Sequence, residues 1–269
     1  MKSAYNQLWV YNLAVLKEAK RWAKHHFITE DQLTLIGESY KVPFYHPNII
    51  IRLLLFVVAL VAILGVTGLL GLMVVQAGQT GISILCILYG IASFVALEKM
   101  FIAKNHFKSG VTEAILYHSC GFIIGGVAGL GDFDSIQLIL LVCLLVFTFA
   151  AIRYLDLITT GLAVASLAAI VFYNCFEAGG IFKQVIPFVF ILIFTAIYFI
   201  TKRLQQRIEL NGWHYNLLIV ETICLLLIYL SGNYLVVREL SVNLMDLSLE
   251  EGADIPFAYL FYFFTIIIP

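Results

Sequence analysis

Charged residues are scarce in this chain of 269 residues, because Asp, Glu, Lys and Arg make up 12% of it and hydrophobic residues 62%. A water-soluble domain carries about 25% charged residues. The mean hydropathy of +0.97 is typical of a protein that lies in a bilayer. The formal net charge of −1 lacks the basic excess of nucleic-acid-binding proteins. We therefore expect a membrane protein with no nucleic-acid partner.

The five cysteines lack the spacing of a zinc site or of a disulfide framework, so we expect no metal and no cofactor. The chain also lacks a GxSG nucleophile motif, an HExxH motif, a Walker loop and a selectivity-filter motif. Its N-terminus has no basic segment followed by a continuous apolar run, so we expect no signal peptide. These absences weigh against an enzyme and leave that class open.

Long apolar runs follow one another from Leu53 onward. Most are long enough to cross a hydrocarbon core of about 30 Å as a helix that rises 1.5 Å per residue. The predicted fold is all-α, a polytopic bundle of seven to eight transmembrane helices. The predicted spans are residues 53–75, 82–103, 111–130, 136–152, 157–176, 185–201, 215–237 and 255–269. The last run is short and ends at Pro269, so we expect the natural chain to continue beyond it.

Residues 1–47 predict a small cytosolic helical hairpin ahead of the transmembrane domain, residues 48–269. Apolar residues from Leu8 to Phe27 recur at helical spacing, and basic side chains take the other faces. Thr29 and Gln32 form the pattern of a capping box that begins a second helix. The hairpin is too short for a core of its own. We expect it to lean on the membrane domain, on lipid headgroups, or on a protein partner or second copy.

The basic residues predict the orientation of the chain. When the predicted spans are threaded back and forth through a membrane, all of the sixteen Lys and Arg residues but Lys183 and Arg238 fall on the side that holds the N-terminus. Because loops rich in Lys and Arg stay in the cytoplasm, we expect a cytoplasmic N-terminus.

Ionisable groups inside apolar runs are costly and often functional. Those near the cytoplasmic ends of the predicted spans form the candidate site: Glu98, Glu113, His118, Arg153, Asp156 and Glu221. His118 and Glu221 lie at a similar depth, roughly 10 Å from the inner boundary at 1.5 Å per residue. Glycines at steps of four, including Gly121 and Gly125, predict that His118 lies on a tightly packed face. A weaker candidate on the outer side comprises Asn233, Tyr234 and Arg238, for which an interfacial anchor is the favoured alternative.

Three classes of function stay open. A titratable histidine beside a carboxylate suits a carrier or channel for a small solute or ion, which is our leading hypothesis. An intramembrane enzyme could use His118 with Glu113 or Glu221. An interaction or assembly protein would act through the hairpin. The polar groups could instead pair with one another and fix the register of the helices.

The hairpin sequence resembles a family of predicted bacterial integral membrane proteins of unknown function. The residues that carry the resemblance are Trp22, the turn Phe27-Ile28-Thr29 and Gln32, followed closely by the apolar runs. The stretches GNYLVVREL and IPFAYLF are similar to family members from the Bacteroidota. The resemblance covers most of the chain. It implies a multi-pass protein of the bacterial inner membrane with a cytosolic hairpin, and it implies no activity, ligand or cofactor.

Overall fold

The computed structural model describes residues 3–131 and 135–233. Over these ranges the backbone is almost entirely helical and contains no β-strand, which confirms the predicted all-α fold. The α-helices of these ranges are α1 (Gln7–Lys24), α2 (Glu30–Ser39), α3 (Ile49–Val74), α4 (Gly78–Ala96), α5 (Val111–Leu130), α6 (Ile136–Tyr154), α7 (Leu157–Ala178), α8 (Gly180–Gln205) and α9 (His214–Gly232). A π-helical turn, Leu97–Phe101, and a 3₁₀ turn, Ile102–Lys104, continue α4.

Seven of the described helices are long and apolar enough to cross a membrane, so the chain is a multi-pass membrane protein. These spans are Ile49–Leu72, Gly78–Lys104, Val111–Leu130, Ile136–Tyr154, Leu157–Ala178, Val185–Gln205 and Leu210–Gly232. The first seven predicted spans match them to within a few residues at each end. The predicted eighth span, 255–269, lies outside the described residues.

The first span begins one turn earlier than predicted, at Ile49. The side chain of Asn48 accepts a hydrogen bond from the backbone N–H of Ile51 at 2.9 Å, as an N-terminal capping residue does. Arg52 therefore lies inside the first turn of α3, although hydropathy alone had excluded it. Its charge is satisfied by a partner on α5, described below.

By its internal contacts the chain divides into two compact units, Met1–Thr159 and the part from Thr160 onward. The first unit contains α1–α6 and the first turn of α7. The second contains the rest of α7, with α8 and α9. The predicted domain boundary between residues 47 and 48 stays a prediction, since the hairpin clusters here with α3–α6.

The N-terminal hairpin consists of α1 and α2. The predicted capping box is present, because Thr29 and Gln32 each accept a hydrogen bond from the backbone N–H of the other. The apolar face of α1 is narrower than predicted: Ala19 and Ala23 are buried, whereas Phe27 is exposed. The reason is that α1 ends at Lys24, so that Phe27 belongs to the turn rather than to the helix face.

The hairpin is docked on the loops between the spans of the first unit. The backbone N–H of Ala4 donates to the carbonyl of Arg153, at the end of α6, at 2.8 Å. Tyr45 pairs with His106 in an isolated parallel bridge to the α4–α5 loop. The ring of Tyr5 is buried edge-on against Phe107 of the same loop, with centroids 4.8 Å apart. We call this end of the first unit the hairpin face.

In the first unit α5 packs against α3, α4 and α6. Its closest contact with α4 depends on two glycines. A Cβ atom on Gly126 would lie 2.7 Å from the carbonyl oxygen of Ser83, and one on Gly90 would lie 3.0 Å from that of Ser119. Only hydrogen fits at such distances, and small residues of this kind let membrane helices approach closely.

Two glycines of the predicted stripe, Gly121 and Gly125, lie on a different face of α5. Apart from the backbone of α5 itself, no atom of the described residues lies within 4 Å of a Cβ placed on either of them, so these two residues do not make the contact expected of them. The reason is that spacing alone does not show which of several small residues faces a neighbour; here it is Gly126. His118 is nevertheless buried, as predicted.

In the second unit the buried core consists of Val164, Phe194 and Cys224, one residue each from α7, α8 and α9. The amide of Asn216 donates to the hydroxyl of Thr160 at 2.6 Å and ties α9 to α7. These contacts hold three spans together through small and apolar side chains.

The two classes of glycine on α5 give a matched test. Gly126→Ala should lower stability by about 1–3 kcal/mol, because the added methyl group must push α4 away. Gly121→Ala gains the same helix propensity, and its methyl group meets no neighbouring side chain or helix among the described residues, so it should leave stability unchanged or slightly higher. Thermal unfolding of both variants in detergent measures the difference. Equal melting temperatures would show that α4 and α5 do not pack as described.

Candidate functional site

Four of the ionisable residues of the predicted site, Glu98, Glu113, Arg153 and Asp156, form three separate groups in the first unit. In one group the guanidinium of Arg153 donates to both carboxylate oxygens of Glu98, from Nε at 2.8 Å and from Nη2 at 3.1 Å. The hydroxyl of Tyr154 also donates to Glu98, at 3.2 Å. Glu98 lies on the π-helical turn after α4, so this bidentate pair joins α4 to α6.

The second group surrounds Glu113 in the first turn of α5. Its carboxylate forms an ion pair with Arg52 of α3 and accepts hydrogen bonds from the backbone N–H of Gly110 at 2.7 Å and the hydroxyl of Thr112 at 3.0 Å. Gly110 has φ +91, and a Cβ there would collide with the carbonyl of Arg52. Glycine therefore lets the start of α5 lie directly against α3.

Asp156 forms the third group, in the short α6–α7 connection. One carboxylate oxygen accepts from the hydroxyl of Tyr117 at 3.0 Å, and the other accepts from the backbone N–H of Thr159 at 2.8 Å. The second bond satisfies a free N–H group at the start of α7. Asp156 is buried, and it connects α5 to the beginning of α7.

The carboxylates of Glu113 and Asp156 affect the pKa of two groups outside the spans, Tyr5 and Lys108. Burial raises the pKa of the Tyr5 hydroxyl, and the carboxylates of Glu113 and Asp156 raise it further. Burial lowers the pKa of the Lys108 ammonium, while the same two carboxylates act in the opposite direction. Tyr5 of the hairpin and Lys108 of the α4–α5 loop therefore lie close to the polar groups of the hairpin face.

His118 has aromatic neighbours. Its ring lies 4.2 Å from that of Phe122 and 5.5 Å from that of Tyr89, measured between centroids. The residue is 9% exposed, and within the described residues its Nε2 atom has no hydrogen-bond partner. A general base or proton carrier needs a hydrogen-bonded route to another group. The described surroundings of His118 supply no such route at Nε2.

Glu221 lies in the second unit, on α9. Its carboxylate forms an ion pair with Lys202 of α8 at 2.6 Å and accepts from the amide of Gln205 at 2.8 Å. Asn233, at the end of α9, donates to the carbonyl of Tyr229 at 3.2 Å. The other two outer candidates, Tyr234 and Arg238, lie outside the described residues.

The sequence predicts one partner of these carboxylates, Arg153, and does not reveal the others. Arg52 lies just outside the predicted first span, and Tyr117 and Tyr154 carry no signal that distinguishes them from apolar core residues. The polar positions of α8 could have been found, since Lys202 and Gln205 share one side of a helix at a spacing of three. The pairings themselves join residues up to 61 positions apart, and they depend on packing.

A cavity of about 500 Å³ lies between α4, α5 and α6 in the first unit. Its walls are apolar and include Ile91 and Phe94 of α4, Ile123 of α5 and Phe149 of α6. Its polar end is formed by the π-helical turn: Glu98 and Lys99. Pockets that hold small molecules commonly have volumes of about 300–1,000 Å³, apolar walls and a few polar groups. Among the described residues no group of three or more His, Cys, Asp or Glu side chains could hold a metal ion.

Comparisons with protein families, with curated proteins and with solved structures give no match. The family resemblance of the hairpin sequence therefore stays a prediction.

The ion pair between Arg52 and Glu113 can be tested by a double-mutant cycle. Glu113→Gln should cost about 2–3 kcal/mol, less than a fully buried pair, since Arg52 is 33% exposed. The double variant with Arg52→Gln should be more stable than the sum of the single changes predicts, because no uncompensated charge remains. Thermal unfolding in detergent measures all three.

Arg21→Gln is the control for this cycle. It removes the exposed pair with Glu18, whose charged atoms are 4.0 Å apart, and should change the melting temperature little. If Glu113→Gln is as mild as this control, the pair does not hold α3 to α5.

Proposed function

We propose that the protein binds an anionic amphiphile, a molecule with an apolar chain and a phosphate or carboxylate head, and carries it within the membrane. The observation that supports this proposal is the cavity between α4, α5 and α6, which is apolar along its length and ends at charged residues. This narrows the carrier hypothesis from a small solute or ion to a lipid-like molecule.

The walls of the cavity favour a ligand that arrives from the bilayer. Ile91 and Val95 of α4 and Leu145 of α6 line it, and each is exposed on the surface of the membrane-spanning region. A cavity that opens between two spans faces lipid rather than water. An apolar chain can therefore move into it without passing through an aqueous phase, and burial of that chain provides the main binding energy.

The charges at the polar end favour an anionic head. Glu98 is neutralised by Arg153, which binds both of its oxygens. Lys99 follows Glu98 on the same turn and is exposed; within the described residues it has no carboxylate at ion-pair distance. An ammonium group at the polar rim of an apolar cavity attracts a phosphate or carboxylate. Lys99 lies five residues before the end of its span, where a long basic side chain reaches the interface.

The π-helical turn itself supports a binding role. Single π-turns inside α-helices are rare and frequently occur at functional sites. The turn Leu97–Phe101 places Leu97 in the core and brings Glu98 to Arg153 on α6, with Lys99 at the cavity rim. A regular helix would rotate these side chains relative to one another.

The other two hypotheses receive less support. An ion pathway needs titratable groups that can exchange protons or ions, whereas the carboxylates of Glu98, Glu113 and Glu221 are each engaged in an ion pair. An enzyme that uses His118 would need a hydrogen-bond partner at Nε2, and that atom has none among the described residues. We therefore favour a binding and carrier role over both.

A displacement assay in nanodiscs tests the proposal. A fluorescent fatty acid is the probe, and three competitors of equal chain length distinguish the head group: a fatty acid, a fatty alcohol and a phosphatidylglycerol. We expect the fatty alcohol to compete roughly tenfold more weakly than the better of the two anions. A tenfold difference in affinity corresponds to about 1.4 kcal/mol of binding free energy. The ranking of the two anions identifies the head group.

Lys99→Gln should weaken binding of the probe by about fivefold to tenfold, since it removes a charge-assisted contact of about 1–1.4 kcal/mol. Lys104→Gln is the matched control, because Lys104 lies on the next turn and does not line the cavity. Ile123→Trp should abolish binding by filling the cavity. Equal affinities in the Lys99 and Lys104 variants, or equal competition by the alcohol, would contradict an anionic ligand.

We also propose that the membrane is the bacterial cytoplasmic membrane and that the hairpin face is cytoplasmic. The distribution of Lys and Arg supports this orientation. A cysteine at Ser39 should react with a membrane-impermeant maleimide only in permeabilised cells, and a cysteine at Ala77 should react in intact cells. Replacement of the native cysteines by alanine removes the background labelling. The reverse labelling pattern would contradict the orientation.

A further inference from the structure

The first helix of the hairpin carries an apolar stripe that no part of the described protein covers. Leu8, Tyr11 and Trp22 are exposed, Trp22 by 48%. At 100° per residue these three side chains lie within about 60° of one another, along roughly 21 Å of helix. An exposed apolar surface of this extent marks an interaction site.

The neighbouring face of α1 is already used by the protein. Asn12, Ala19 and Ala23 are buried, and the amide of Asn12 donates to the carbonyl of Lys41 at 3.0 Å. The stripe is therefore additional to the surface that holds the hairpin together. It lies on a different face of α1 from the buried residues Asn12, Ala19 and Ala23.

The turn after α1 extends the stripe. Phe27 is 78% exposed, the largest value among the exposed hydrophobic residues of the described chain. It is held in place, because its backbone N–H donates to the carbonyl of Trp22 at 2.9 Å and His26 adopts φ 59. This bond holds the backbone of Phe27 next to that of Trp22, and the ring of Phe27 lies 6.2 Å from that of His25, measured between centroids.

The segments on either side of the hairpin are bound to residues at the ends of spans. The segment before α1 is bound to the end of α6 through Ala4 and Arg153, and the segment after α2 is bound to the α4–α5 loop through Tyr45 and His106. Both anchors lie where spans leave the membrane. The hairpin therefore begins and ends at the membrane surface, and α3 reaches the bilayer at Ile49, ten residues after α2.

Basic residues accompany the aromatic end of the stripe. Arg21 and Lys24 occupy the last turn of α1 and are exposed; at 100° per residue they lie about 100° and 160° from Trp22, on the polar faces of the helix. An amphipathic helix with aromatic and leucine residues on one face and basic residues on the others is typical of a helix that lies in the membrane interface. Anionic headgroups attract such basic residues electrostatically.

We propose that the stripe Leu8, Tyr11, Trp22 and Phe27 lies on an anionic lipid surface at the hairpin face, with Arg21 and Lys24 binding headgroup phosphates. The hairpin is then a peripheral membrane-binding module that is attached to the spans. This inference is independent of the cavity and of the function proposed for it.

Quenching of tryptophan fluorescence by brominated lipids tests the proposal on the full chain in nanodiscs. Two single-tryptophan proteins are compared. One keeps Trp22 and carries Trp9→Phe and Trp213→Phe; the other keeps Trp9 and carries Trp22→Phe and Trp213→Phe. Trp9 is the internal control, since its ring packs edge-on against Phe44 at 5.5 Å.

We expect brominated anionic lipid to remove roughly half of the Trp22 emission, because the apolar face of an interfacial helix lies about 5–10 Å into the headgroup boundary. The loss for Trp9 should be clearly smaller. Zwitterionic brominated lipid should quench Trp22 less than anionic lipid does. Arg21→Gln with Lys24→Gln should remove that difference, whereas Lys104→Gln with Arg207→Gln should retain it.

Equal quenching of Trp22 and Trp9 would overturn the membrane-bound stripe. Equal quenching of Trp22 in the two lipids would overturn the part played by anionic headgroups. Absence of quenching, together with a smaller oligomer for the Trp22→Ala variant, would assign the stripe to a second copy of the chain and overturn the proposal.

Discussion

The ion pair between Arg52 and Glu113 is the interaction on which the arrangement of the first unit depends. In the bilayer no water replaces a missing partner, so a carboxylate in the first turn of α5 must be satisfied by the protein. Glu113 obtains its partners from its own helix start and from Arg52 of α3. The pair therefore fixes where α3 meets α5 and positions the loop between α4 and α5. That loop contains Phe107, and the ring of Tyr5 of the hairpin packs edge-on against it.

The same constraint changes the interpretation of the remaining charges. Glu98, Asp156 and Glu221 look like a functional cluster in the sequence because each is costly in lipid. In the structure each has partners that join two helices or begin one. Charges used in this way are consistent with structural ties, and removal of one partner leaves the other uncompensated. Lys99 is the informative exception, because it lies at the rim of an apolar cavity without a carboxylate at ion-pair distance in the described chain.

Hydropathy and local patterns were enough to predict the all-α fold, seven spans and the capping box of Thr29 and Gln32, because each depends on neighbouring residues. The partners of the carboxylates depend on contacts between helices far apart in the chain, such as Glu98 with Arg153. Arg52 falls outside the predicted first span for a related reason. Hydropathy ends a predicted span at a charged residue, whereas the helix continues through that residue when its charge has a partner. The prediction of the glycine contact was wrong for a similar reason. Several small residues lie along α5, and only the packing against α4 determines that Gly126 makes the contact.

Arg153 connects the two surfaces for which a role is proposed. Its backbone carbonyl accepts the hydrogen bond that seats the N-terminal segment at Ala4, and its guanidinium binds Glu98 at the polar end of the cavity. Displacement of Ala4 would release the last turn of α6 from one of its restraints, and this turn also carries Tyr154, a lining residue of the cavity. The two proposals therefore concern the same turn of α6, since the N-terminal segment binds its backbone and one of its side chains lines the cavity. Any ligand or surface that binds one arrangement of that turn more tightly changes the affinity at the other site by the same factor.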